Sequence, residues 1–295
     1  MRASLIGILC GLGAASIWGG MYVVSDVVLE VIPPFTLLAF RLGLGALALG
    51  GMVAWQRGRI PFTHQQTLQV LGAGLIGYGI SLGLQFVGTR LSTAANGALI
   101  TSTTPAFVLL FAAWLLRERI TPRRVGALLL STVGVLAVID PHGASLSPEL
   151  FWGNVYLAGA GLTWALYSVL LRWVTREASV IPVTFVALLG GLPTTLMASA
   201  WELQTVSLRT ITLSVIIGVV YLGVISTAVA PALWTRAFNE LDASVASLTF
   251  FAQPVVGTVL STWLLEEQLN VSFFIGGILI GIGVWLATSE SQKGR

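Results

Sequence analysis

The chain has 295 residues, of which 56% are hydrophobic and another 33 are Gly, against 15 Lys and Arg and 12 Asp and Glu. A soluble chain of this length carries roughly 74 charged residues, about a quarter of its composition, so a soluble globular protein is excluded. The apolar residues fall in runs long enough for a helix to cross ~30 Å of hydrocarbon and lack the short-period alternation of outer-membrane barrel strands. An all-α membrane protein is the class that fits.

In chain order the runs are Ser4 to Val24, Pro34 to Trp55, Leu68 to Gly88, Ala95 to Leu116, Pro122 to Ile139, Trp152 to Trp173, Ile181 to Trp201, Ile211 to Trp234, Ala243 to Leu265 and Val271 to Thr288. These are ten expected transmembrane helices with short loops between them and no room for a soluble domain. The first run follows Met1-Arg2 and is longer than the apolar core of a signal peptide, so it is expected to be retained as a helix.

Loop charge gives an orientation. With the N-terminus in the cytoplasm, that side holds Arg2, Arg57, Arg59, Arg117, Arg119, Arg123, Arg124, Arg172, Arg176, Arg236, Lys293 and Arg295, whereas the other side keeps Arg90 and Arg209. Such an excess marks the cytoplasmic face and puts both termini there. It also accounts for the pI of 9.4 at a net charge of only +3, with no need for a nucleic-acid partner.

The chain resembles itself at an offset of 149 residues. Pro105 falls on Pro254, Trp114 on Trp263, Leu115 and Leu116 on Leu264 and Leu265, Glu118 on Glu267, and Gly134 on Gly283. More loosely, Trp18 answers to Trp164 and Pro33 to Pro182. Five spans per half is an odd number, so the second half enters the membrane from the opposite side. The expected architecture is two inverted five-helix repeats, residues 1–140 and 150–288, with a cytoplasmic tail over 289–295. In such folds a substrate site lies near the midplane, between the repeats.

The ten-span layout, the Trp in the first helix of each half, Arg41 in span 2, the central Pro of spans 4 and 9, and the endings Leu116-Arg117-Glu118 and Leu265-Glu266-Glu267 resemble the EamA branch of the drug/metabolite transporter superfamily. Within that branch the chain is most similar to YddG-type exporters of aromatic amino acids. The resemblance implies a carrier moving small metabolites out of a bacterial cytoplasm through the inner membrane.

Several residues are candidates for the work. Pro105 and Pro254 sit near the middle of their spans, where an interior Pro frees a carbonyl and bends the helix, making both candidate hinges or gates. Asn96, Thr101, Ser244 and Gln253 on the same two spans are expected to hydrogen-bond a polar head group. Trp18, Trp164 and Tyr167, with Tyr78 at the centre of span 3, lie away from the interfacial positions held by Trp55, Trp152, Trp173 and Trp201, and are expected to line a cavity. Arg41 is the one charge well inside a span; it is expected to snorkel outward, or to pair with backbone carbonyls, Asp26, Glu30 or a substrate carboxylate.

Other functions lack their residues. His64 and His142 fall between spans, Cys10 stands alone within the first, and no catalytic triad, metal-ligand cluster or phosphate-binding motif is present, so no enzyme activity, metal or cofactor is expected. No Asp or Glu lies near the midplane, which favours facilitated export over proton coupling. The expected partners are the lipid bilayer and an amino-acid-like small molecule; nothing in the sequence fixes an oligomeric state. A multidrug or nucleoside/sugar-type exporter with proton coupling shares the layout and stands as the alternative. A membrane scaffold or receptor is the alternative of another class, but it leaves the matched prolines without a use.

The orientation is testable with fusion reporters, which should place residues 57–65, 117–124 and 172–179 in the cytoplasm and residues 140–150 outside. Cytoplasmic access to residue 145 would overturn the inverted arrangement.

Overall fold

The computed structural model describes residues 2–55, 62–92, 94–139, 148–175, 179–206, 210–265 and 271–291, and every regular element among them is helical. In the first half these are α1 (Arg2–Leu29), α2 (Pro34–Trp55), α3 (His64–Gly74) continued through a π-helical segment (Leu75–Ser81) into α4 (Leu82–Leu91), α5 (Ala94–Thr101), α6 (Thr104–Leu115) and α7 (Pro122–Ile139). A 3-10 turn (Pro148–Leu150) opens the second half, followed by α8 (Phe151–Thr175), α9 (Val180–Thr205), α10 (Leu213–Val220), a second π segment (Tyr221–Val229), α11 (Ala230–Glu240), α12 (Ala243–Leu248), a 3-10 turn (Thr249–Phe251), α13 (Ala252–Leu265) and α14 (Val271–Ser291).

Among the described residues, 8 helical runs are long and apolar enough to cross a membrane, and the protein is a multi-pass α-helical membrane protein. The fourth expected span is a shorter apolar helix, Leu99–Leu115, with a break at Ser102 and Thr103 between α5 and α6, and the fifth is α7. Some ends also move. Helix α1 runs past Val24 to Leu29, and α14 past Thr288 to Ser291 into the expected tail, whose residues 292–295 lie outside the described set. His64, expected between spans, is the first residue of α3, where Thr63 and Gln66 form a reciprocal capping box that fixes the helix start.

Lipid takes the place of water as the solvent for the outer surface. Leu47, Trp114, Met197, Leu213, Val271 and Trp285 are all exposed, as are the four interfacial tryptophans Trp55, Trp152, Trp173 and Trp201.

Several helix pairs recur between the corresponding helices when the two halves are exchanged. α1 packs on α11 and α13, and its counterpart α8 packs on α4 and α6; α2 lies on its own counterpart α9, and α7 on α14. Glu202 near the end of α9 accepts from the Phe35 and Thr36 backbone N–H groups at 3.3 and 2.8 Å and from the Thr36 hydroxyl at 2.9 Å. These bonds satisfy the free amides that begin α2.

Glycine permits the closest approach. A Cβ at Gly74 would lie 1.7 Å from the Ala187 carbonyl oxygen, and one at Gly190 would lie 2.0 Å from that of Leu71, so α3 and α9 touch backbone to backbone. At Gly72, two residues earlier on α3, nothing lies within 4 Å. Gly74→Ala should therefore destabilise the protein by about 1–3 kcal/mol through overpacking. Gly72→Ala should be neutral or stabilising by up to ~1 kcal/mol. Thermal unfolding of the detergent-solubilised variants measures both.

Candidate functional site

Both π segments and both broken helices meet around one cavity, whose non-atom space, open solvent included, is about 500 Å³. Its lining comes from α1 (Trp18, Met21, Tyr22), α2 (Arg41), the first π segment and α4 (Tyr78, Ser81, Gln85), α5 and α6 (Thr101, Thr104), α8 (Gly161, Trp164), the second π segment (Ser226, Thr227), and the α12–α13 junction (Phe250, Gln253).

The break in each lining helix follows from its proline. Pro105 has no N–H to return to Thr101, and its ring crowds that carbonyl, so α5 ends there and α6 starts with Pro105 in its first turn. The freed groups are taken up locally. Thr104 donates its hydroxyl to the Thr101 carbonyl at 2.6 Å, Thr101 its own to Gly97 at 2.6 Å, and Thr103 its own to Ile100 at 2.6 Å. In the other half the turn Thr249–Phe251 precedes Pro254, with Thr249 donating to Ala246 at 2.7 Å and Ser247 to Ser244 at 3.0 Å. Both prolines are buried beside the cavity without lining it.

Aromatic side chains form the walls and floor. Trp18 meets Trp164 edge to face at 5.5 Å and Trp234 at 5.4 Å, and Phe250 closes the group at 5.8 Å from Trp18 and 5.6 Å from Trp234. Tyr78 stands 6.1 Å from Trp164. Tyr167 supports this wall from behind, 4.9 Å from Trp164, with its hydroxyl donating to that of Tyr78 at 3.3 Å. Tyr22 donates to Thr101 Oγ1 at 2.9 Å, since the Thr101 proton is committed to Gly97, and accepts from Gln85 Nε2 at 3.0 Å.

Arg41 does not snorkel. It is 1% exposed and turned inward, with Nε donating to Thr227 Oγ1 at 3.0 Å, Nη2 to Ser226 Oγ at 3.2 Å and to Met21 Sδ at 3.4 Å, and its guanidinium carbon 5.0 Å from the Phe86 ring centre. Its hydrogen bonds go to hydroxyls and sulfur, where carbonyls or Glu30 had been expected; the Asp26 side chain lies outside the described residues. Nη1 has no partner, and the same is true of Trp164 Nε1 and Gln253 Oε1, all three buried on cavity-lining residues.

Of the expected ligands, Trp18, Tyr78, Thr101, Trp164, Gln253 and Arg41 line the cavity, and Tyr167 stands behind it. Asn96 and Ser244 lie elsewhere, because each belongs to the first turn of its half-helix, at the far end from the break. Asn96 donates to Ser92 Oγ and Asn154 Oδ1, both at 2.9 Å. Ser244 belongs to an ionic cluster in which Glu118 accepts from the Ala243 and Ser244 N–H groups at 2.7 and 3.1 Å and from the Ser244 hydroxyl at 2.6 Å. Arg124 joins Glu118 at 3.4 Å to Asp242 and to Ser244 Oγ at 2.7 Å. Arg117, at φ 56°, turns the chain back so that Glu118 reaches α12. Close by, Arg172 donates to the Phe238 and Leu241 carbonyls. Together these contacts tie α8, α11 and α12 to each other and to the turn between α6 and α7 at one end of the bundle.

Tyr22, Ser81, Gln85, Ser226 and Thr227 were not among the expected site residues. A signal was available for Ser81, Ser226 and Thr227, each a polar side chain well inside an apolar run, whereas Tyr22 and Gln85 fall near the ends of theirs.

The EamA-like transporter family model matches residues 5–139 and again residues 151–289. An uncharacterized transporter of Archaeoglobus fulgidus is 24% identical over 282 residues, covering 94% of this chain and 95% of its own. The transporter YyaM of Bacillus subtilis is 24% identical over 280 residues, covering 94% and 92%. A solved crystal structure of a protein 23% identical superimposes with a TM-score of 0.80 over 98% of each chain, which establishes a shared fold.

Glu118→Ala would leave two amides, a hydroxyl and Arg124 short of an acceptor. Each buried group left unpaired costs about 1–3 kcal/mol, so the variant should unfold at a clearly lower temperature, with Glu118→Gln, which keeps one acceptor oxygen, falling between it and the parent. A melting temperature unchanged in both variants would remove this cluster as a source of stability.

Proposed function

The chain belongs to the EamA-like transporter family, and we propose that it is a secondary transporter exporting aromatic and other neutral amino acids across the bacterial plasma membrane by alternating access. The observation that carries this reading is the cavity where the halves meet, with aromatic walls and three buried polar atoms that lack partners. Trp18, Tyr78 and Trp164 offer ring surface to an aromatic side chain. The Arg41 and Trp164 donors can meet a carboxylate, and Gln253 Oε1 can accept from an ammonium.

The recurring helix pairs and the paired proline breaks support ten spans in two inverted repeats. Arg117, Arg119, Arg123, Arg124 and Arg172 cluster at the end of the bundle that holds the Glu118 contacts, which supports placing that end in the cytoplasm. No Asp or Glu lines the cavity among the described residues, and this favours transport down the substrate's own gradient.

The test is counterflow in proteoliposomes loaded with Phe. Labelled Trp should exchange, Met about tenfold less well, because ring stacking adds only ~0.5–1.5 kcal/mol beyond area burial, and Lys not at all, with no requirement for a pH gradient. Tyr78→Ala and Trp164→Ala should each lower Trp exchange. Absence of Trp exchange overturns the substrate, and unchanged exchange in both variants overturns the site.

A further inference from the structure

The charge of the cavity is unbalanced. Arg41 is the one charged side chain lining it among the described residues. Two of its guanidinium nitrogens are held by Thr227, Ser226 and Met21, all neutral, and the third, Nη1, has no partner. Trp164 Nε1 is a second donor without an acceptor. A buried cation lacking an anion is unstable in a low-dielectric interior, and a charge-assisted bond to a carboxylate answers both the orphaned donor and the charge.

A zwitterion answers only the donor. Its ammonium restores the net positive charge, and the cavity offers that ammonium no anion, only Gln253 Oε1 and ring faces. A ligand of net charge −1 fits the site better than one of net charge 0, and a net cation fits worst. We propose that the carboxylate is the obligatory recognition element and the α-ammonium is dispensable, so that the cavity takes aromatic monocarboxylates, such as arylpropionates, as a substrate class. The proposal rests on the reading of this cavity as the transport site and narrows what that site recognises.

Three indoles of similar size separate the charges: indole-3-propionate, Trp and tryptamine. Each is tested as a competitor of labelled Trp counterflow, and as a thermal stabiliser of the detergent-solubilised protein at one pH. Indole-3-propionate should compete and stabilise at least as well as Trp, and tryptamine should be weaker than the propionate by roughly tenfold or more, the scale of one charged hydrogen bond. Arg41→Gln should abolish that ranking. Should it fail to fold, Arg41→Lys, which keeps the charge, should preserve the ranking, and Trp164→Phe, which removes the second donor, should weaken the propionate more than tryptamine.

If Trp exchanges while indole-3-propionate neither competes nor stabilises, the ammonium is required; the proposal fails and the amino-acid reading stands. If Trp does not exchange but the propionate stabilises the protein in an Arg41-dependent way, the carboxylate site stands and the transport reading fails. Equal effects of all three ligands overturn the proposal.

Discussion

A backbone N–H or C=O that loses its partner inside hydrocarbon has no water to turn to, and this constraint decides where the chain can depart from a regular helix. Apart from Pro193 within α9, its main departures within the spans converge on one place. Two prolines interrupt the ladders of α5–α6 and α12–α13, and two π segments widen the helices that run through α3–α4 and α10–α11. Each departure is repaired nearby. Threonine hydroxyls return to carbonyls three or four residues back around the prolines, and in the second π segment Trp18 Nε1 donates to the Ser226 carbonyl at 3.1 Å while Thr227 donates to Leu222 at 2.7 Å. The cavity lies where irregular backbone is tolerated, because protein rather than lipid surrounds it.

Arg41 depends on the same irregularity. A π turn presents Ser226 and Thr227 so that both hydroxyls reach one guanidinium. This joins α2 of the first half to the second π segment of the other and holds the cation in place without neutralising it. The fixed, incompletely partnered charge then gives the cavity its chemical preference, whereas the surrounding rings contribute shape and apolar area. The two roles are separable, since none of the aromatic residues that form the floor is bonded to Arg41.

Much of this was legible in the sequence because it depends on position along a span. Run length identified the helices, and the mid-span depth of Pro105, Pro254, Tyr78 and Trp164 pointed to the cavity. What was not legible depends on contacts between distant segments. No spacing rule shows that the middle of the Gly-rich stretch from Gly72 to Gly83 adopts a π helix. Arg41 looked near enough to the surface to snorkel, because its partners are 185 and 186 residues away in sequence. Asn96 and Ser244 were grouped with Thr101 and Gln253 by shared helix, although a half-helix places its first turn far from the break.

The two ends of the bundle are chemically unequal in a way that the exchange of halves exposes. At an offset of 149 residues Glu118 corresponds to Glu267, but Arg124 corresponds to Phe273, Asp242 to Thr93 and Ser244 to Ala95. One end therefore holds a carboxylate, two amides, a hydroxyl, a second carboxylate and a cation, whereas among the four corresponding positions in the sequence Glu267 is the only charged residue. Helix pairs recur across the halves, yet apart from Glu118 the residues of this ionic cluster do not. The ring group of Trp18, Trp234 and Phe250 is joined to that end through Phe238, whose ring lies 4.8 Å from that of Trp234 and whose carbonyl accepts from Arg172, so packing around the cavity and the ionic contacts are mechanically connected.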